Sequence, residues 1–464
     1  MTMTEEIRDN HYQSETCRHG QSATRGAAVA SEASTKSAAE LLEPAFRLML
    51  GGPPPVRIEL WDETTIGTDA GPGAIRLNSP EAIRHLLWAP GELGLGRAFV
   101  TGEVDVEGSL PDALKALKRA GRSNEANPVS WVPSLVSAAR ELGILSGSPP
   151  PRPPEEILPR GIRHSVGRDR QAVGHHYDVG NQFYELVLGP TMTYSCGRFV
   201  SPEATLDEAQ DAKHDLICRK LGLGEPDVSE AIRGRRPRLL DVGCGWGSMA
   251  IYATSHYDVD VVGVTISEEQ VLEARRRVDE AGLADRIEVR NQDYREVSDG
   301  PFDVISSIGM AEHVGLKKLP KYFEQLHALL RPGGRLLNHA ISSVGGSKPK
   351  RRKFTTRYVF PDGELIDVGV TAVKMQEAGF EVRDVESLRE HYARTLREWV
   401  ANLEGNWESA VELVGERRAR VWRLYMSGSI VGFEDGGLHL HQILGVRPFA
   451  DGRSGVPPTR AGWL

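Results

Sequence analysis

The stretch LLDVGCGWGSMAIYA, residues 239–253, combines the features that decide the fold. The apolar run at its start predicts a short buried strand, and a helix is predicted from about Ser248. Between them lie Gly243, Gly245 and Gly247, which let the backbone turn tightly and leave its N–H groups open to a ligand. Dinucleotide-binding loops usually carry G-x-G-x-x-G with a phosphate over the helix, whereas this spacing is G-x-G-x-G. The loop therefore indicates a ligand that lies against its edge without a phosphate.

The chain after this loop alternates predicted strands with predicted helices. Helical periodicity is clear in EEQVLEARRRVDEAG and in LPKYFEQLHALL. Such alternation predicts an α/β fold with a mostly parallel, doubly wound sheet, whose ligand crevice lies at the carboxyl ends of the strands. The predicted strands are Leu239–Val242, Val259–Val264, Ile287–Arg290, Phe302–Ile308, Arg335–Ala340, Phe380–Val385 and Leu438–Val446.

The residues that follow the next two strands distinguish between cofactors. A nicotinamide enzyme would carry Asp or Glu at the end of the second strand to hold the ribose. Here that strand ends in Thr265, with Gln270 one turn into the next helix, and both side chains can bind ribose hydroxyls. Asp293 and Tyr294, directly after the third strand, supply an acceptor carboxylate and an aromatic face suited to adenine. With the glycine loop and Asp241, they predict an S-adenosylmethionine site.

The composition limits the class of protein. The chain has 464 residues, 40% of them hydrophobic and 26% charged, with a formal net charge of −8. These values are typical of a soluble protein, and the acidic balance gives no support to a nucleic-acid partner. The four cysteines are widely spaced, so neither a disulfide framework nor a metal site is predicted. We find no apolar run of about 18 residues and no secretory leader, so the cytoplasm is the expected compartment.

The pattern along the chain predicts four segments. Residues 1–38 are small and polar without a hydrophobic period, which predicts a disordered tail. Residues 39–145 are predicted to form a small α+β domain, in which VRIELWDETTIGT alternates like a strand. Residues 146–160, SGSPPPRPPEEILPR, contain six prolines and predict a stiff, exposed linker. Residues 161–464 are predicted to form the α/β domain.

A series of motifs then points to a family. In chain order they are GHHYDVGNQFYELVLGPTMTYSCGRF (174–199), LLDVGCGWG, GVTISEEQ, QDYRE, SIGMAEHVG, NHAI, RYVFPDGEL and HYARTLREW. This order, over residues 160–447, closely resembles the cyclopropane-fatty-acid synthases and mycolic acid cyclopropane synthases. The earlier segment ELGLGRAFVTGEVDVEG is similar to the subgroup that acts on phospholipid acyl chains, including enzymes that make tuberculostearic acid. The resemblance implies a class I S-adenosylmethionine-dependent methyltransferase fold, which is Rossmann-like.

The resemblance also implies site residues and an ionic base. In the family, an alkene takes the methyl group and an enzyme-held bicarbonate ion removes a proton from it. The residues implied to hold that ion are Cys196, Glu312, His339, Ile341 and Tyr392. Tyr194 and Ser195 are expected to contact the methionine end of the cofactor. We interpret Cys196 as an ion ligand, because nothing near it in the sequence would lower the pKa of its thiol. Many relatives carry a C-terminal cysteine where this chain has Ser429, which disfavours covalent thiol catalysis.

The predicted function is therefore transfer of a one-carbon unit to the cis double bond of an unsaturated, oleoyl-type phospholipid chain. Immediate loss of a methyl proton would give a cyclopropane. A prior hydride shift would give a methylene branch, which a separate reductase would convert to a tuberculostearic-type methyl branch. Two alternatives stay open: a small-molecule methyltransferase, and a lipid-binding protein on an inactive fold.

The predicted partners follow from the substrate. Phospholipid acyl chains would be reached at the inner membrane surface, with the protein bound peripherally. The basic segment SKPKRRK, residues 347–353, is either a solvated loop or a contact for anionic head groups. The sequence leaves open whether the chain forms a homodimer.

Overall fold

Two β-sheets organise the chain, whose computed structural model describes residues 36–123, 128–145, 147–157, 168, 179–225, 234–346 and 353–463. The predicted tail, 1–38, lies outside these ranges except for its last three residues. Its final residue begins the first helix, because Ser37 and Glu40 form a capping box there. Among the described helices, none is both long and apolar enough to cross a membrane.

The smaller sheet belongs to the N-terminal part of the chain. Its strands pair in the order β2-β1-β3-β4, and the stretch predicted as one strand is a hairpin of two short strands, β1 and β2. The strands are β1 (Arg57–Glu59), β2 (Thr65–Ile66), β3 (Gly73–Leu77) and β4 (Val104–Gly108). The helices around it are α1 (Ala38–Leu50), α2 (Glu81–Trp88), α3 (Glu92–Val100), α4 (Leu110–Ser123) and α5 (Pro128–Glu141).

The larger sheet has seven strands in the order β7-β6-β5-β8-β9-β11-β10. Strands β5 to β9 pair in parallel, whereas β11 is antiparallel to both of its neighbours. The strands are β5 (Arg238–Val242), β6 (Asp260–Thr265), β7 (Ile287–Asn291), β8 (Phe302–Ile308), β9 (Leu330–Ser342), β10 (Glu381–Ser387) and β11 (His439–Val446). The mostly parallel sheet predicted from the sequence is confirmed.

Helices cover both faces of this sheet. Leu239 packs in one hydrophobic cluster with Ala250 and Val271, whereas the next residue, Leu240, packs in another with Phe323. Since successive strand residues point to opposite faces, these two clusters are the two layers of a doubly wound fold. The described helices are α6 (Asn181–Leu188), α7 (Leu206–Leu221), α8 (Ser248–His256), α9 (Glu268–Glu280), α10 (Ala311–Val314), α11 (Leu319–Leu329), α12 (Phe354–Tyr358), α13 (Val368–Glu377), α14 (Arg389–Gly405), α15 (Trp407–Val414) and α16 (Glu416–Glu434).

The N-terminal elements pack directly against the C-terminal helix α16. The buried guanidinium of Arg420 donates to the backbone carbonyls of Phe99 at 2.8 Å and Val104 at 2.9 Å. Helix α4 adds ion pairs from Lys115 to Glu434 and from Lys118 to the neighbouring Asp435. These contacts fix α3 and α4 beside the larger sheet.

Helix α3 continues through two glycines and makes a close contact there. A Cβ atom on Gly96 would lie 2.3 Å from Cδ2 of Phe354, a separation that real atoms do not tolerate. The missing side chain is therefore what lets α3 approach α12.

The proline-rich segment departs from its prediction. The side chain of Glu156 is only 1% exposed, and it accepts hydrogen bonds from Arg97 Nε at 2.8 Å and Nη2 at 3.0 Å. Arg357 pairs with the same carboxylate at 3.5 Å. The prediction of an exposed linker is wrong at Glu156, because a buried carboxylate requires partners and finds them in Arg97 and Arg357. Residues 147–149, 151, 152 and 154 of the segment are exposed. The division into domains 39–145 and 161–464 stays a prediction.

Candidate active site

One cavity of about 980 Å³ brings together three groups of residues. Of the residues predicted to bind the cofactor, those in its lining are Tyr194, Ser195, Asp241, Gly243, Gly245, Thr265, Gln270, Asp293 and Tyr294. Of those predicted to hold an ion, it includes Glu312, His339, Ile341 and Tyr392. The N-terminal elements contribute an apolar group that includes Phe99, Val106, Leu110, Leu114 and Leu117.

The glycine loop follows β5 and turns through left-handed backbone conformations. Gly243 and Gly245 have φ angles of 76° and 54°, which side chains disfavour. The N–H groups of Gly243 and Cys244 donate to the carbonyl of Val264, so the loop is fixed to the end of β6. Gly247 is not among the lining residues; it precedes α8 with a φ of 80°, a left-handed conformation that side chains disfavour.

The side chains of Thr265 and Gln270 are hydrogen-bonded to each other. The Thr265 hydroxyl donates to Gln270 Oε1 at 2.7 Å. Ser267 caps the helix by accepting from the backbone N–H of Gln270 at 3.3 Å. With its oxygen engaged, Gln270 has its amide N–H groups as the donors it can offer to the cavity that it lines, and its contact with ribose hydroxyls stays a prediction.

Asp293 and Tyr294 lie where the third strand of the parallel set ends. Arg295 donates to the Asp293 carboxylate from its backbone N–H at 3.0 Å and from its guanidinium at 2.8 Å and 2.5 Å. These bonds from a single neighbour hold the Asp293 carboxylate in place at the end of the strand. The Tyr294 ring packs edge-on against Tyr322 with centroids 4.9 Å apart.

Glu312 and His339 are two buried polar residues in the lining of the cavity. The Glu312 Oε1 accepts from the backbone N–H of Ile341 at 2.7 Å, and burial raises the pKa of this carboxyl to about 7. Gln442 donates to His339 Nδ1 at 3.3 Å, while burial lowers the pKa of the ring to about 3 and keeps it neutral. Glu312 Oε2 and His339 Nε2 have no hydrogen-bond partner among the described residues. Buried polar atoms of this kind indicate a site for a small polar ligand.

Of the other residues predicted to hold the ion, Tyr392 lines the cavity and Cys196 does not. Tyr392 lies on α14 with its ring 4.7 Å from that of Phe433, and it reaches the cavity wall. Cys196 does not line the cavity. Its buried thiol donates to the carbonyl of Gly197 at 3.1 Å, and burial raises its pKa far above the ordinary value. A thiol with that environment is not a nucleophile.

Lys213 and His214 also line the cavity, although no sequence motif pointed to them. Lys213 is completely buried on α7. Its position continues the buried side of this helix, with Ala209 four residues before it and Ile217 four residues after it. A lysine within an apolar helical stripe was the signal that could have identified it.

Replacing Glu312 by Gln should change how stability depends on pH. Burial raises the pKa of Glu312 from 4.5 to about 7, so its contribution to stability is complete below pH 4.5 and is lost as the pH rises through 7. This loss of folding stability amounts to about 3 kcal/mol. The Gln variant does not show it, because the amide does not ionise. Urea unfolding should therefore show the variant gaining stability relative to the native chain as the pH increases. A stability difference that is the same at acidic and alkaline pH would contradict the buried-carboxyl assignment.

The comparisons with known proteins identify the family of the chain. The family model for mycolic acid cyclopropane synthetase matches residues 164–443. A probable fatty acid methyltransferase of Mycobacterium tuberculosis is 42% identical over 88% of this chain and 94% of its own. The cyclopropane-fatty-acyl-phospholipid synthase of Escherichia coli is 32% identical over 82% of this chain and 90% of its own.

A solved structure adds the comparison of folds. The mycolic acid cyclopropane synthase CmaA1, complexed with SAH and CTAB, is 34% identical and superposes with a TM-score of 0.54. The match covers 60% of this chain and 97% of that protein. The methyltransferase fold expected from the sequence is confirmed, and the chain belongs to the mycolic acid cyclopropane synthetase family.

Proposed function

We propose that this chain uses S-adenosylmethionine to add a one-carbon unit to the cis double bond of an unsaturated phospholipid acyl chain. The observation that carries the proposal is the continuous cavity of about 980 Å³, which joins the glycine loop, the buried pair Glu312 and His339, and an apolar lining. A cis alkene is a weak nucleophile, so it reacts only when methyl donor, alkene and base are held together away from water. The three groups of lining residues correspond to these three requirements.

The residues that line the cavity fit both S-adenosylmethionine and bicarbonate. When bound, S-adenosylmethionine supplies an electrophilic methyl group and bicarbonate supplies the base that accepts the proton. The left-handed glycines leave room beside the loop, and Gln270 offers donors there. Glu312 Oε2 and His339 Nε2, both without partners among the described residues, would hold the ion. The neutral ring of His339 donates from Nε2, because its Nδ1 accepts from Gln442.

The apolar lining gives the acyl chain a place to bind. Leu114 and Leu117 are one turn apart on α4, and Phe99 on α3 lies in the same lining. These side chains would bind the hydrocarbon and exclude water from the alkene. A small-molecule methyltransferase has no need of such a lining, so the cavity favours the lipid over that alternative.

The substrate is proposed to reach the cavity from a membrane surface. The named relative in Escherichia coli acts on fatty-acyl phospholipids, and a chain that shares this substrate would bind the bilayer peripherally. Residues 347–352 of the basic segment lie outside the described residues, while Lys353 lines the cavity. The charge of the segment suits anionic head groups, each basic residue contributing about 1 kcal/mol near the surface.

Lipid analysis tests the proposal. When the chain is expressed in a host that makes oleoyl phospholipids and lacks such an enzyme, mass spectrometry should show acyl chains heavier by one CH₂ group. Nuclear magnetic resonance then separates the products, since a cyclopropane has ring protons and a methylene branch has vinylidene protons. The heavier chains should disappear in the Glu312→Gln variant. Unmodified lipids, from a folded protein that binds S-adenosylhomocysteine, would refute the proposed substrate.

A further inference from the structure

Lys213 is a buried amine: burial lowers the pKa of its ammonium group to about 7, and the nearby charge of Asp241 opposes that shift. Its side chain is 0% exposed, and its Nζ donates to Ser195 Oγ at 2.9 Å and to His214 Nε2 at 2.8 Å. Both acceptors are neutral groups, because burial lowers the pKa of His214 well below its ordinary value. Within the described part of the chain, Lys213 forms no ion pair with a carboxylate.

Such an arrangement is costly unless a ligand completes it. Burying an ammonium group without a counter-charge is strongly unfavourable, and proteins normally pair such groups. For comparison, Lys220 on the same helix is equally buried and pairs with Asp384 at 2.9 Å. An ammonium group has three N–H donors, and two of those of Lys213 are used. The third is available to a group in the cavity that Lys213 lines.

The surroundings indicate the chemistry of that group. Ser195 shares a hydrogen bond with Lys213 and lines the same cavity beside the glycine loop. Asp241, at the end of β5 where the glycine loop begins, is a buried carboxylate that accepts from Ser306 at 2.7 Å. Beside the glycine loop the lining therefore offers the amine of Lys213 and the carboxylate of Asp241, which suit the opposite charges of an α-amino acid group.

We propose that Lys213, with Ser195, binds the carboxylate of the amino-acid end of the cofactor. This inference rests on the proposed function for the identity of the ligand. Lys213 is a binding residue in this role: it holds the methionyl group and so sets the position of the sulfonium. Ser195 is kept in place by the same ammonium group.

Two ligands that differ in the amino-acid end test the proposal by isothermal titration. S-adenosylhomocysteine carries the carboxylate, and methylthioadenosine lacks the whole amino-acid group. A Lys213→Met variant should bind S-adenosylhomocysteine about 10- to 100-fold more weakly, the usual value of a hydrogen bond to a charged group. Its affinity for methylthioadenosine should stay within about twofold, because that ligand never reaches the ammonium group. Retained binding of methylthioadenosine also shows that the variant is folded.

A matched control is Lys118→Met, the same substitution elsewhere in the cavity lining. Lys118 lies on α4 and pairs with Asp435 at 2.7 Å, so binding of both ligands should be unchanged. Equal weakening of both ligands by Lys213→Met would overturn the carboxylate assignment, and so would unchanged binding of S-adenosylhomocysteine. An increased bicarbonate requirement with unchanged S-adenosylhomocysteine affinity would assign the cation to bicarbonate instead. If the native chain binds neither ligand, the proposed function itself fails.

Discussion

Replacing Glu312 by Gln is expected to lower turnover by about 10²- to 10⁴-fold, the usual contribution of general acid–base catalysis. The substitution keeps an oxygen that can accept from the N–H of Ile341, as Glu312 Oε1 does at 2.7 Å. It replaces Oε2, which has no partner among the described residues, by an amide that cannot accept a proton or hydrogen bond from the ion. Affinity for S-adenosylhomocysteine should persist, because the glycine loop is untouched. Steady-state rates and isothermal titration on the same preparation separate the two effects.

A matched control for this variant lies close to it in the structure. Glu364 donates its backbone N–H to the carbonyl of Glu312 at 3.0 Å, and its own side chain accepts from Leu316 without lining the cavity. Glu364→Gln should leave turnover unchanged. Added bicarbonate should partly restore Glu312→Gln, since a weakened site fills at higher ligand concentration. Turnover of Glu312→Gln equal to that of the native chain would mean that the proton leaves by another route.

The sequence was a good guide to the elements whose signals are local. The apolar runs of β5 and β6 and the alternation of β7 each predict a strand by themselves, and the glycine spacing predicts the loop after Val242. Strand β9 is longer than predicted: it begins at Leu330 although Pro332 and Gly333 resemble a turn. The reason is non-local, because the N–H of Gly333 donates to the carbonyl of Arg447, close to the end of β11.

The parts of the site that the sequence missed depend on tertiary contacts. Lys213 belongs to a helix that also carries solvated residues, and only the packing of α7 shows that its ammonium group is buried. The apolar lining from Phe99 and Leu114 could not be assigned to the cavity, because it depends on how α3 and α4 dock on α16. Glu156 was read as part of an exposed linker, since proline-rich composition carries no information about a distant partner such as Arg97.

The second large effect should come from filling the apolar part of the cavity. Gly428 lies within α16 and lines the cavity, and a Cβ placed on it would meet no atom within 4 Å. A Gly428→Phe variant therefore gains a Cβ atom without a clash, and it replaces a glycine, about 1 kcal/mol less favourable than Ala inside a helix, by a residue of intermediate helix propensity. The ring would occupy space that the acyl chain needs next to Ser429 and Tyr425. Because a displacement of about 1 Å at the reacting centre can cost about 10²-fold, turnover on oleoyl phospholipid should fall by about 10²-fold or more.

Three measurements distinguish a blocked cavity from a damaged protein. Thermal unfolding of Gly428→Phe should occur at or above the native temperature, because the helix gains propensity and loses no contact. Isothermal titration should show S-adenosylhomocysteine binding within about twofold of the native value, since none of the residues predicted to bind the cofactor lies on α16. Gly428→Ala, which adds only a methyl group to the same open space, should retain most of its turnover. If Gly428→Phe turns over oleoyl phospholipid at the native rate, the acyl chain does not pass α16, and the lining from α3 and α4 has another purpose.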